Sequence, residues 1–267
     1  LGCKLSGKGV ALTASFLFAL LPVRAYYSML PVPHVLSSFF SWLTFASYLW
    51  WVETKNIKYC AAIYISFILA ALSDWPAYFV IPPILLHYLA CEYRKIKSLG
   101  FVLALCTMPV LLLSTHFAWA CLLTGKESVR ELLDLFLFRS ISAGSRQGWF
   151  AFTWWDFYAS GYTRSKLFLT PTVWLLSTVG SVTIATRLLR KKLFSQNMFL
   201  LTLFLFGLSQ NLALRNMVYI HDFDMLFDFA PFFAIAAALG IKFIVERILL
   251  SRTGWTVPFV LAVCCLL

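Results

Sequence analysis

The sequence predicts an all-α fold, a polytopic transmembrane helical bundle, and three observations carry that prediction. Of 267 residues, 61% are hydrophobic and 12% charged, against ~45–50% apolar and ~25% charged in a soluble domain. The aromatic load, 26 Phe and 10 Trp, suits a bilayer and its interfaces. Apolar runs recur between short charged segments, and the length has room for roughly eight or nine spans of ~20 residues. A mean hydropathy of +0.83 excludes a soluble globular enzyme, a disordered chain and a disulfide-stapled secreted domain.

Taken in order, the runs 10–27, 35–52, 59–72, 78–91, 101–123, 167–188, 198–212, 225–245 and 255–267 give about nine spans. The chain is expected to form a single transmembrane domain over 1–267. Residues 124–166 break the rhythm with mixed polarity and read as one large outer loop carrying interfacial helices. Within it, 127–139 has amphipathic spacing, with Val129, Leu132, Leu133, Phe136 and Leu137 on one face, and 149–162 is rich in aromatics. The chain begins at Leu1 and ends within an apolar run at Leu267, so it reads as an internal piece of a longer membrane protein. The seven cysteines lie mostly in or beside apolar runs, without a CxxC pair, and read as small packing residues.

With the spans alternating, fourteen of the 22 Lys and Arg fall on one side with three of the 11 acids, leaving eight positives and eight acids on the other. The positive-inside rule makes the first side cytoplasmic. The net charge of +11 is then mostly a topology signal and implies no nucleic-acid partner. All six aspartates, Asp74, Asp134, Asp156, Asp222, Asp224 and Asp228, fall on the outer side. Carboxylates near hydrocarbon are costly unless they face water, a partner or a ligand, so the outer face is where binding or chemistry is expected.

Four outer segments carry candidate residues. In Ser73-Asp74-Trp75-Pro76 the carboxylate either caps the next helix, with Pro76 in its first turn, or orients a substrate; the two roles are compatible. In Arg215-Asn216-Met217-Val218-Tyr219-Ile220-His221-Asp222-Phe223-Asp224, His221 with Asp222 and Asp224 is a weak metal signal. A histidine held by a carboxylate against substrate is the stronger reading, and a capped, solvated helix start is the structural alternative. No cofactor is assigned. In the segment from Pro22 to His34, Arg24 either snorkels or binds an anion such as a lipid phosphate, and His34 opens the second span. In the large loop, Arg130, Arg139, Arg146, Arg164 and Lys166 stand among Trp149, Trp154, Trp155, Tyr158 and Tyr162. That mixture suits a phosphate headgroup and a sugar face, or an ordinary interfacial belt. His87 and His116 receive no role. No Walker loop, nucleophile elbow, HExxH or dinucleotide fingerprint occurs, against an ATP-driven pump and the common soluble chemistries.

Three segments together resemble the GT-C superfamily of integral-membrane glycosyltransferases. The resemblance is to the branch of dolichyl-phosphate-mannose protein mannosyltransferases and lipid A aminoarabinose transferases. Ala19-Leu20-Leu21-Pro22-Val23-Arg24-Ala25-Tyr26-Tyr27-Ser28 is similar to that family's apolar-Pro-x-x-x-Tyr-Ser helix end. The stretch 69–83, with Asp74, is similar to its short re-entering helix pair, and 215–240 to its His-containing entry into a Pro- and Ala-rich helix. His34 stands where the family often has Asp, and Asp74 where it often has Lys near the tip.

The resemblance implies transfer of a sugar from a polyprenyl-phosphate donor to a glycan, lipid or protein acceptor, on the extracytoplasmic face of an integral membrane protein. On the residues themselves, Asp74, His221, Asp222, Asp224, His34 and Tyr27 are the candidates for substrate contact, and Arg24, Arg139 and Arg215 for the lipid phosphate. The resemblance puts the family's catalytic Asp before Leu1, so this stretch alone is expected to lack the base. A transporter or flippase, or a ligase or polymerase of lipid-linked saccharides, is the competing class. Charges near the bilayer midplane would favour transport; here they cluster at the outer ends.

Overall fold

The computed structural model describes residues 5–27, 33–96, 98–141, 152–221 and 224–250, with the backbone alone for Tyr27, Arg94, Lys95, Ile141, Asp224 and 248–250. The fold is all-helical, with no strand among the described residues. Four helical stretches there are long and apolar enough to cross a membrane: Pro33–Thr54, Leu99–Thr124, Pro171–Leu189 and Met225–Arg247. The helices Lys8–Leu20 and Ile57–Ser73 are apolar but shorter. The expected last span, 255–267, lies outside the described residues.

The elements depart from the expected runs where proline intervenes. The run 10–27 is two helices, α1 (Lys8–Leu20) and α2 (Pro22–Tyr27), because Pro22 forces Leu21 into extended backbone. α3 (Pro33–Thr54) and α4 (Ile57–Ser73) follow the expected runs closely. The run 78–91 is helical throughout but is not one α-helix. It is a 3-10 turn Trp75–Val80, α5 (Ile81–His87), a π-helical turn Tyr88–Glu92 and the short α6 (Tyr93–Ile96). Pro82 and Pro83 in the first turn of α5 lack the N–H groups that would carry a helix through from Tyr78.

α7 (Leu99–Thr124) is capped by Ser98, whose Oγ accepts from the Phe101 N–H at 3.2 Å. The expected loop 124–166 is largely helical: α8 (Lys126–Ile141) and α9 (Trp154–Leu169) fill its described part. α9 opens on a reciprocal cap. The Thr153 N–H donates to Asp156 Oδ2 at 2.8 Å and the Asp156 N–H to Thr153 Oγ1 at 3.2 Å. Pro171 separates α9 from α10 (Pro171–Leu189), so the run 167–188 is broken at Thr170, which caps α10 through its Oγ1. α11 (Phe194–Ala213), α12 (Arg215–Ile220), α13 (Asp224–Phe227) and α14 (Ala230–Leu250) complete the order.

Two compact units interleave along the chain. The first comprises 1–29, 160–204 and 226–267. In it α14 packs against α10 and α1. The approach is close because Gly180 lies against the Ala236 carbonyl and Gly240 against the Leu176 carbonyl, leaving no room for a Cβ at either glycine. Ala234, Ala236, Ala237 and Ala238 of α14 are all buried. Phe204 adds an aromatic wedge, 5.2 Å from both Phe229 and Phe232.

The second unit comprises 30–159 and 205–225. Its centre is the α3–α4 pair, joined by a turn in which Asn56 Oδ1 accepts from the Lys58 N–H at 2.9 Å. α3 buries a polar stripe: His34, Ser37, Ser41, Thr44 and Tyr48. Thr44 meets Ser66 of α4 at 2.9 Å, and the Tyr48 hydroxyl meets His87 Nδ1 of α5 at 2.8 Å. Near that end Trp51 stacks on Phe101 at 4.1 Å, and Tyr88 Oη accepts from the Ser98 N–H at 3.0 Å. α7 is the least enclosed helix: Leu103, Val110, Leu111 and Leu122 are exposed, an apolar surface for lipid.

The apolar face of α8 is divided. Val129 and Leu132 turn inward in part, but Leu133, Phe136 and Leu137 are exposed, while Phe138 is buried. The helix packs on α7 and α12, so its inner side is set by those neighbours and its apolar stripe is left toward the outside.

Candidate functional site: a polar chamber beside an apolar groove

In the second unit the start of α3, the end of α4, the C-terminal half of α7 and the last turns of α8 meet around one chamber. It has a volume of about 410 Å³, and Pro33, Asp74, Tyr78, His116, Leu132 and Arg139 are among its walls. Three elements place its charges. Asp74 ends α4 and starts the 3-10 turn, its Oδ1 accepting from the Trp75 N–H at 2.7 Å, with Pro76 next. This is the capping role the sequence predicts. The carboxylate's other oxygen, Oδ2, stands 3.4 Å from His34 Nδ1, and the Asp74 carbonyl accepts from Ser37 Oγ at 3.4 Å. His34 is buried and a quarter of the Asp74 side chain remains exposed. The paired acid therefore keeps access to the chamber.

Arg139 enters from α8, its guanidinium 5.7 Å from the centre of the Trp75 ring. This is a cation–π contact at the long end of its range, and the Arg139 side chain also lines the chamber. Behind it, the Asn216 side chain donates to the Phe138 carbonyl at 2.7 Å, tying α12 to the end of α8. Arg215, the neighbour of Asn216, lies over Trp154 at 4.8 Å, and Tyr219 stacks on Phe152 at 4.3 Å. The two cations thus flank one helix junction, each seated on a tryptophan.

Two further cavities adjoin this chamber. An apolar groove of about 350 Å³ shares Trp75, Tyr78 and Leu113 with it and adds Phe79, Phe117 and Phe136. A second cavity, of about 690 Å³, shares His116, Leu132 and Leu135 and adds Ser128, Glu131 and Asp134. A fixed cation beside a carboxylate, opening onto an aromatic and aliphatic groove, has the polarity profile of an amphiphile with an anionic head.

Not all the sequence candidates gather here. Arg24 belongs to the first unit, where its guanidinium lies 4.7 Å from the Phe18 ring centre and 4.3 Å from that of Phe227. It interacts there with the buried Asp228. One of its terminal nitrogens is buried with no hydrogen-bond partner among the described residues. His221 is exposed at the end of α12. Asp222 lies outside the described residues, as do the side chains of Tyr27 and Asp224. Among the described residues no three His, Cys, Asp or Glu side chains are grouped as a metal site would need. His116, Glu131 and Asp134, which received no role from sequence, line the cavities.

Comparison of the chain with protein-family models, with curated proteins and with solved structures finds no match to any of them.

Proposed function

We propose that this chain is part of an integral-membrane glycosyltransferase that takes a sugar from a polyprenyl-phosphate donor and passes it to a glycan, lipid or protein acceptor on the extracytoplasmic face. One observation carries the reading: the Arg139–Asp74 chamber shares a wall, Trp75, Tyr78 and Leu113, with an apolar groove. Such a site takes the two halves of a lipid phosphate together. Arg139 neutralises the phosphate, most strongly when charge builds on the departing oxygen. The groove takes the first isoprene units, and the exposed part of the Asp74 carboxylate, beside its contacts to His34 and the Trp75 N–H, accepts from sugar hydroxyls. In this reading nine spans cross the membrane, and the charge asymmetry puts the chamber outside.

A transporter would need its polar path to run through the bundle. In the buried polar stripe of α3, Thr44 instead pairs with Ser66 and Tyr48 with His87, contacts that serve as interhelical glue.

The test is transfer by the full-length protein in proteoliposomes, comparing a polyprenyl-phosphate-linked sugar with the corresponding nucleotide sugar. The reading expects turnover from the lipid-linked donor alone, reduced by Arg139→Gln. Turnover from a nucleotide sugar without lipid would overturn it.

A further inference from the structure

His116 is the one side chain in the 26 residues of α7 able to carry a positive charge. An ionisable group in so apolar a helix is costly unless it faces water, a partner or a ligand. The structure gives it such a place: His116 is exposed and lines both polar cavities. In one it shares the walls with Asp74, Tyr78 and Arg139. In the other it shares them with Glu131 and Asp134. α5 also packs against α7, and its single titratable side chain, His87, is at the far end beside Tyr48.

We propose that His116 is a second cationic partner for the phosphodiester of an isoprenoid lipid whose phosphate is held by Arg139. The proposal rests on the preceding reading, in which an amphiphile's phosphate occupies this chamber. A phosphodiester spreads one negative charge over two free oxygens. Arg139 reaches them from α8 and His116 from α7, so the phosphate bridges the two helices. A guanidinium keeps its charge at every physiological pH, whereas an imidazole ordinarily titrates near about 6.5. The charged groups that share the two cavities of His116 are Asp74, Glu131, Asp134 and Arg139. An incoming phosphodiester adds negative charge and draws a proton onto His116. Affinity for the phosphodiester therefore rises as pH falls. A role as proton acceptor would need the neutral ring and give the opposite dependence.

The experiment measures binding of methyl farnesyl phosphate, a phosphodiester with no titration of its own in this range, to the full-length protein in a phosphate-free maltoside detergent. Affinity is taken at about pH 5.5 and about pH 8, either side of the ordinary histidine pKa. Wild type should bind about tenfold more tightly at the lower pH, the effect of one charge-assisted hydrogen bond. His116→Gln should lose that step while keeping the weaker affinity of the higher pH. His116→Lys, with a permanent charge, should hold the tighter affinity at both, which separates lost charge from lost fold. Arg139→Gln should weaken binding at both. Arg139-dependent binding without a pH step in wild type, or with a step that survives His116→Gln, overturns the assignment of His116 and leaves the preceding reading standing. Absence of Arg139-dependent binding in wild type overturns both. Dihexanoyl phosphatidylglycerol, also a phosphodiester, separates the lipid sources: weaker binding than the farnesyl probe supports an isoprenoid ligand. Equal binding assigns the site to bilayer headgroups and overturns the isoprenoid part.

Discussion

His34 Nδ1 stands 3.4 Å from Asp74 Oδ2, which brings the first turn of α3 against the C-terminal end of α4. Asp74 also caps the 3-10 turn through Oδ1, so one carboxylate closes a helix pair and starts the next element. Asp74→Asn should retain most of the cap, since Asn is among the best capping residues. It loses the attraction to His34 and the charge in the chamber. Asp74→Ala should in addition destabilise the unit by about 1 kcal/mol. Thermal unfolding in detergent beside a transfer assay separates the two. A wild-type rate in Asp74→Asn confines Asp74 to capping.

The two arginines that sequence placed in one class should behave differently. Arg139→Gln should weaken donor binding by about 10–100-fold, the loss of a charge-assisted contact, with little change in stability. Arg24 lies between Phe18 and Phe227 and interacts with buried Asp228, so Arg24→Gln should lower the unfolding temperature by stranding Asp228. Equal loss of binding with no loss of stability in Arg24→Gln would place it in the donor site instead.

Close packing of α14 on α10 makes a third prediction. Gly180→Leu drives a side chain into the Ala236 carbonyl, and the helices must separate. Destabilisation of at least about 1–3 kcal/mol is expected, as for over-packed cores. Gly100, with open space around it, is the control: Gly100→Ala should be neutral. Comparable melting of the two variants would contradict this packing.

The α9 cap gives a pH dependence. Hydrogen bonds from the Thr153 N–H and hydroxyl hold the exposed Asp156 carboxyl below its ordinary value. The folded-state pKa is depressed, so the cap's contribution is complete above the ordinary carboxyl value of about 3.9 and is lost as pH falls further, through the folded value. Amide exchange at the start of α9 should rise below that pH in wild type. It should be raised already at neutral pH in Thr153→Ala.

Much of this was legible in the sequence, and the gaps have physical causes. The α3 and α4 runs and the Asp74 cap follow from local pattern, apolar length and Asp before Pro, whereas Arg139 lies on Trp75, outside the loop whose aromatics the sequence set around it. The helix breaks at Leu21 and Thr170 were signalled by Pro22 and Pro171 but masked by apolar residues on both sides. The meeting of His34 with Asp74 depends on which helices pair, and hydropathy carries no information about that. The same limit grouped Arg24 with Arg139, since charge sorting assigns a side of the membrane and not a neighbour. His116 gave no spacing signal. The clue available was its position as the lone cationic group in a long apolar helix.

The most direct measurement is photo-crosslinking of the full-length protein with a polyprenyl phosphate carrying a diazirine in its first isoprene unit, followed by peptide mapping. The account predicts labelling within 75–79, 113–117 and 133–136, the walls of the apolar groove, and its loss in Arg139→Gln. Labelling confined to other segments, or unchanged by Arg139→Gln, would contradict the assignment of this chamber and groove to a lipid phosphate.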